Sequence, residues 1–231
     1  MRICGLNKTT ILDYPGKVAA TVFLGGCNFR CPFCQNGSLV LAPQEEPEIP
    51  MEELWAFLKR RKGILDGVCV TGGEPTLAAQ LPEFLGKIKE LGYLVKLDTN
   101  GTRPEVIEEL LKNGLVDYIA MDIKTSREQY KSVAGTEHLD MEKICRSVQL
   151  IMDRAPDYEF RTTVVKELHS REDFQRMGEW LKGAKVCYLQ AYRDSEEVIR
   201  PGFSSYSREE MEEFAVILRR TIPLVQIRGL D

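Results

Sequence analysis

VAATVFLGGCNFRCPFCQN, residues 18–36, begins as a strand and ends as a loop of thiols. Its first eight residues are rich in β-branched and apolar side chains and stop at Gly25-Gly26, a pair whose missing Cβ atoms let the backbone wrap closely around a bulky group. Cys27, Cys31 and Cys34 follow at once in a C-x3-C-x2-C spacing. A cysteine loop directly after a strand belongs at the C-terminal edge of a parallel sheet, where α/β folds place their sites.

Outward from this stretch the chain alternates. Strand-like runs recur at 67–72, 93–100, 116–124, 158–165 and 184–192, and helix-like segments with apolar spacing near 3.6 lie between them, at 51–63, 81–92, 103–114, 140–155 and 171–183. Strands that read as buried apolar runs, alternating with helices, predict a parallel sheet covered by helices. Six units are too few to close an eight-stranded barrel, so the predicted fold is α/β, a partial, open (β/α)6 TIM-type barrel. One domain is expected over residues 1–231: a core at about 18–195, then an acidic helix at 207–220 and a strand-like tail. The Pro/Glu stretch APQEEPEIP (42–50) reads as a surface loop, and Leu54, Phe57 and Leu58 as core packing.

With 31 basic residues against 35 acidic ones, the formal charge of -4 supplies no drive toward a phosphate backbone or an anionic membrane, so neither nucleic acid nor membrane is expected as a partner. No apolar run approaches the roughly 18 residues of a span, and the N-terminus lacks a signal-peptide h-region; a cytoplasmic protein is expected. Seven cysteines, three of them clustered, point in a reducing compartment to metal or redox chemistry. Cys4, Cys69, Cys145 and Cys187, scattered singly, read as small buried hydrophobes.

Three thiolates with no fourth nearby can hold three corners of a [4Fe-4S] cube and leave one iron open, whereas structural zinc takes four ligands. The competing reading is a zinc site, or a non-catalytic iron-sulfur carrier, with the zinc completed by distant His138, His169 or a lone cysteine. Later strand ends carry further candidates. VTGGEPTL (70–77) brings Gly72, Gly73 and Glu74; DTNG (98–101) brings Asp98 and Asn100; MDIK (121–124) brings Asp122 and Lys124. Arg161 and Thr163 close the fifth run, Tyr192 and Arg193 the sixth. Singly these are ordinary turns and ion pairs. Together they set carboxylates, an amide and cations at successive strand ends, as a zwitterionic ligand requires.

The cysteine spacing followed by GGEP resembles the radical S-adenosylmethionine superfamily. DTNG with the D-x-K strand end is similar to the activases of glycyl-radical enzymes, such as that of pyruvate formate-lyase. The opening TTILDYPGKVAATVFLGGCNFRCPFCQN (9–36) is most similar to anaerobic ribonucleotide reductase activating proteins. The resemblance implies a [4Fe-4S] cluster on Cys27, Cys31 and Cys34 and S-adenosylmethionine on the open iron. Reductive cleavage then gives a 5'-deoxyadenosyl radical, which takes hydrogen from a glycine of a partner enzyme. It implies that GGEP holds the methionine amino group, that Asp122 and Lys124 contact the cofactor, that the DTNG acid organises the site, and that Phe33 lies near adenine. Where the pyruvate formate-lyase activase has a histidine beside adenine, this chain offers Tyr192 and Arg193. The implied partners are a glycyl-radical enzyme and a flavodoxin- or ferredoxin-type reductant. A radical enzyme acting on a small molecule or peptide is the alternative.

Overall fold

A computed structural model describes residues 1–230. Eight strands, β1 (Ile3–Thr10), β2 (Ala19–Leu24), β3 (Gly67–Gly72), β4 (Leu94–Thr99), β5 (Tyr118–Asp122), β6 (Tyr158–Val164), β7 (Val186–Ala191) and β8 (Leu224–Arg228), form one sheet in sequence order. Strands β2 to β8 run parallel, and β1 pairs antiparallel with β2. Among the described residues no pairing joins β8 to β1, so the barrel is open, as the sequence predicts.

Six of these strands are the expected ones, and two extend the sheet. The tail, expected outside the barrel core, docks on β7 with Gln190 opposite Arg228. The other addition, β1, is polar over Asn7, Lys8 and Thr9 and carries two register shifts against β2, which is why no alternation announces it. The α-helices among the described residues are α1 (Gly37–Leu41), α2 (Met51–Arg60), α3 (Leu81–Glu90), α4 (Pro104–Lys112), α5 (Tyr130–Ala134), α6 (Met141–Arg154), α7 (Arg171–Trp180) and α8 (Arg208–Leu218). Two of them, α1 and α5, are five-residue pieces that no apolar period marks. Start signals fix three of the others. Asp140 caps α6 by accepting from Glu142 N, while Ser170 and Ser207 open α7 and α8 with reciprocal capping boxes to Asp173 and Glu210.

The strands differ from the expected buried apolar runs in one respect that decides where the site lies. Val68 and Val70 of β3, Val95 and Leu97 of β4, Ile119 and Met121 of β5, and Phe160 and Val164 of β6 belong to the apolar core shared with the helices. Their neighbours in alternation, Cys69 and Thr71, Asp98, Asp122, and Arg161 and Thr163, instead line a cavity on the opposite face. A closed barrel would fill that lumen with apolar side chains, whereas this open one gives it to charged groups. Leu54, Phe57 and Leu58 are buried, as predicted, and the acidic face of α8 is exposed at Glu209, Glu212 and Glu213. Among the described residues no helix is long and apolar enough to cross a membrane.

Candidate functional site

The end of β2 and the end of β3 approach so closely that two glycines are obligatory. A Cβ on Gly73 would lie 1.9 Å from the Gly26 carbonyl oxygen, and one on Gly72, at φ +116°, would lie 2.3 Å from the Leu24 oxygen. The contact is stitched by Gly73 N donating to Leu24 O and Glu74 N to Gly26 O, both at 2.8 Å. The GGE turn and the cysteine loop are thereby one unit. Asn36, two residues beyond the last cysteine, donates to Gly72 O at 3.0 Å and closes it from the other side.

Glu74 is the hub of this unit. Its carboxylate is 3% exposed and accepts from Thr76 N (3.1 Å), the Thr76 hydroxyl, the Thr99 hydroxyl (2.7 Å) and Asn100 N (2.6 Å). Burial leaves the carboxyl raised above its ordinary value, and these donors pull it only part of the way back. The third strand end is tied in as well: Asn100 Nδ2 donates to Asn28 Oδ1 at 2.9 Å and lies 3.9 Å from Cys27 Sγ. Thr99, Asn28 and Asn36 were not among the residues singled out from sequence. Thr99 stands inside the DTNG turn itself and was legible there, whereas the two asparagines gain meaning only from what they touch.

One cavity of about 370 Å³ takes in the three loop cysteines, Phe33, Gly72, Gly73, Glu74, Asp98, Asn100, Asp122, Lys124, Arg161 and Thr163. Its wall is a charge network. Arg161 Nη1 meets Asp98 Oδ2 at 3.0 Å, and its Nε and Nη2 meet Asp122 Oδ1 at 3.0 and 2.9 Å. Lys124 Nζ lies 3.1 Å from Asp122 Oδ2, and the buried Lys96 pairs with Asp98. Burial alone would raise both carboxyls, but Arg161 with Lys124 holds Asp122 down to about 2, and Arg161 with Lys96 lowers Asp98.

The thiols respond to the same field. Burial pushes Cys27 up to about 11 and Cys31 up to about 12, while the Phe29 N–H and Lys124 pull Cys27 back and Lys124 pulls Cys31 back. Both are thiols at neutral pH until a metal displaces their protons. Among the described residues no three His, Cys, Asp or Glu side chains converge where one ion would sit. The donor set is instead three thiols that share one cavity of about 370 Å³ with Gly72 and Gly73, and three thiols are the donor type that a [4Fe-4S] cluster takes.

Two candidate residues lie elsewhere. Tyr192 is 1% exposed, donates to Asp194 Oδ1 at 2.8 Å and packs edge-on against Phe203; it does not line the cavity. Arg193 is exposed, donates to Gly229 O at 3.2 Å and is likewise absent from the lining. Both fall just past the end of β7, where the chain turns back over the cysteine loop with Ile199 N donating to Cys34 O and Arg200 N to Pro32 O. Gln190, two residues earlier, is the β7 side chain that faces the cavity.

The lone cysteines divide. Cys187 is buried among apolar residues, whereas Cys69 lines the cavity with its thiol 3.7 Å from Asp98 Oδ1 and 3.8 Å from Lys96 Nζ, because its strand position points into the lumen. The histidines do not complete a zinc site. His138 is exposed, and both ring nitrogens of His169 are engaged: Nδ1 accepts from Val165 N at 3.1 Å, which leaves Nε2 as the N–H donor to Lys124 O at 2.7 Å. Burial lowers its pKa, so the ring is a neutral pin beneath Lys124.

Comparison with known proteins gives a consistent picture. Residues 21–181 match the sequence profile of the radical SAM superfamily. A Methanocaldococcus jannaschii protein, provisionally named a glycyl-radical enzyme activating enzyme, is 32% identical over 99% of this chain and 96% of its own length. Among solved structures, a domain of pyruvate-formate lyase-activating enzyme from Bacteroides vulgatus superposes with a TM-score of 0.56 at 20% identity, over 71% of this chain and 99% of that one. Streptococcus suis SuiB bound to S-adenosylmethionine superposes with a TM-score of 0.68 at 15% identity, over 90% of this chain and 52% of that one. At these identities the two structures bear on the fold alone.

Proposed function

The chain belongs to the radical SAM superfamily, and on that premise we propose that it activates a glycyl-radical enzyme, with an anaerobic ribonucleotide reductase as the candidate partner. The observation that carries the reading is the convergence of three thiols and four strand ends on one open-sided cavity. In this reading Cys27, Cys31 and Cys34 would hold a [4Fe-4S] cluster, three thiolates leaving it one ligand short and so open to S-adenosylmethionine. When bound, the pair supplies a hydrogen-abstracting radical by one-electron cleavage of the sulfonium.

The chain's own residues bind, orient and shield. Gly72 and Gly73 bring the β3 backbone against the cysteine loop so that an amino group can reach main-chain oxygens, while Glu74 fixes the Asn100 turn. Lys124 and Arg161, charged and held by Asp122 and Asp98, face a ligand carboxylate or hydroxyl; Thr163 adds a hydroxyl, and Phe33 offers an apolar face to a purine. Tyr192 and Arg193 lie outside the cavity lining, so in this reading the adenine contact falls to Phe33. Among the described residues strands β8 and β1 are not paired, and a barrel left open in this way suits a substrate that is a loop of another protein. A flavodoxin- or ferredoxin-type donor is the proposed reductant.

The test is anaerobic iron-sulfur reconstitution, followed by EPR of the reduced protein with and without S-adenosylmethionine and then with a co-encoded glycyl-radical enzyme. The expected result is a cluster signal that shifts on adding the cofactor, 5'-deoxyadenosine as product, and a glycine-centred radical on the partner. Cofactor cleavage without any partner radical, but accelerated by a small molecule or peptide, would replace the activase reading with the alternative substrate class.

A further inference from the structure

We propose that Arg228, on the last strand, is a positioning residue for Arg161, acting by holding the buried Glu159 carboxylate away from it. The proposal rests on the reading of Arg161 as a cofactor-facing residue. Glu159 stands two residues before Arg161 on β6, so both side chains project from the same face of the sheet. It is 1% exposed and does not line the cavity. Its Oε1 lies 3.9 Å from Arg161 Nη1, the same nitrogen that bonds Asp98 Oδ2 at 3.0 Å. One guanidinium nitrogen therefore has two carboxylates within reach.

What settles the competition comes from the tail. Arg228 Nη1 and Nη2 meet Glu159 Oε1 and Oε2 at 3.2 and 3.1 Å, a two-pronged pairing that occupies both oxygens, and the Tyr118 hydroxyl adds a bond to Oε2 at 3.1 Å. Arg228 is itself held flat on the Tyr188 ring, 3.3 Å from its centroid, and β8 pairs in register with β7. With Glu159 satisfied from that side, Arg161 is free to span Asp98 and Asp122. Remove Arg228, and Glu159 is a buried anion with one phenol for company and Arg161 as its nearest cation; the pull on Nη1 then opposes the Asp98 contact. The final strand, with Arg228 outside the cavity lining, sets which way a cavity cation points.

The test compares Arg228→Ala, Arg228→Lys and the double variant Glu159→Gln/Arg228→Ala as reconstituted holoenzymes, with S-adenosylmethionine cleavage resolved into kcat and KM. The Arg161 Nε–H resonance of the metal-free protein, identified by its loss in Arg161→Lys, gives a readout that needs no cofactor. Arg228→Ala is expected to raise the KM about tenfold and shift the resonance, Arg228→Lys to fall between it and wild type, and the double variant to return both toward wild type. Should Arg228→Ala fail to fold, the comparison of Arg228→Lys with the double variant carries the same contrast. Equal deficits in the single and double variants, or an unmoved resonance, would overturn the proposal. A wild-type protein that cleaves no S-adenosylmethionine would instead overturn the functional reading and leave the resonance to judge the positioning.

Discussion

Glu74→Gln is the substitution whose effect follows most directly from the coordinates. The carboxylate accepts from two backbone N–H groups on opposite oxygens, Thr76 N on Oε1 and Asn100 N on Oε2, and from the hydroxyls of Thr76 and Thr99. A glutamine keeps one acceptor oxygen and replaces the other with an NH2. The hydroxyls can rotate to accept, since Thr99 Oγ1 already accepts from Gly101 N at 3.1 Å, but a backbone N–H cannot. Whichever rotamer is adopted, one buried N–H faces another donor. Leaving it unpaired and losing the charge on the remaining bonds costs about 2–4 kcal/mol. Unfolding entropy scales as roughly 2.1 cal/mol/K per residue, so this chain has about 0.5 kcal/mol/K at its midpoint and Tm should fall by about 4–8 °C. Calorimetry of the metal-free protein measures this, with Glu83→Gln as the control: that exposed i,i+4 partner of Lys87 should move Tm by less than about 1 °C. Because Asn100 also braces Asn28 and Cys27, iron uptake on reconstitution should drop as well. A Glu74→Gln protein that melts within about 1 °C of wild type would refute the view that this carboxylate holds the strand ends together.

Three further outcomes are expected. Alanine at Cys27, Cys31 or Cys34 should abolish iron retention after reconstitution, while Cys69→Ala should retain it despite lining the same cavity; metal analysis decides, and iron loss in Cys69→Ala would make that thiol a ligand. Asp122, held down to about 2 by Arg161 and Lys124 against burial, has a folded pKa below its unfolded value, so its contribution is present above about pH 4 and is lost as pH falls toward 2. Being partly exposed it contributes about 1 kcal/mol, and Asp122→Asn should flatten the stability curve over that window. Tyr192→Phe should lose only its bond to Asp194, about 1 kcal/mol, and leave S-adenosylmethionine affinity unchanged, whereas Phe33→Ala should weaken that affinity in a titration of the reconstituted protein.

The sequence by itself determined the alternation of strands and helices and the places where strands end, because apolar period and glycine punctuation are local properties. It also determined which strand ends supply the candidate site, since C-x3-C-x2-C, GGE, DTNG and MDIK each lie within a few residues and all reach one cavity. Tertiary structure decided what those ends do to one another. That Glu74 is spent on Thr76, Thr99 and Asn100 depends on two turns 25 residues apart meeting in space. That Cys69 faces charge while Cys187 faces oil depends on strand parity against a lumen whose polarity only the open barrel creates. Tyr192 and Arg193 fall outside the cavity lining because β7 ends at Ala191 and the chain beyond it folds back over the cysteine loop, a bend no periodicity signals. β1 is not legible in its own pattern, because an edge strand with polar residues and register shifts is defined by its pairing with β2. Local patterns are written in neighbours along the chain, but the competition of carboxylates for Arg161 is written only in distances across the sheet.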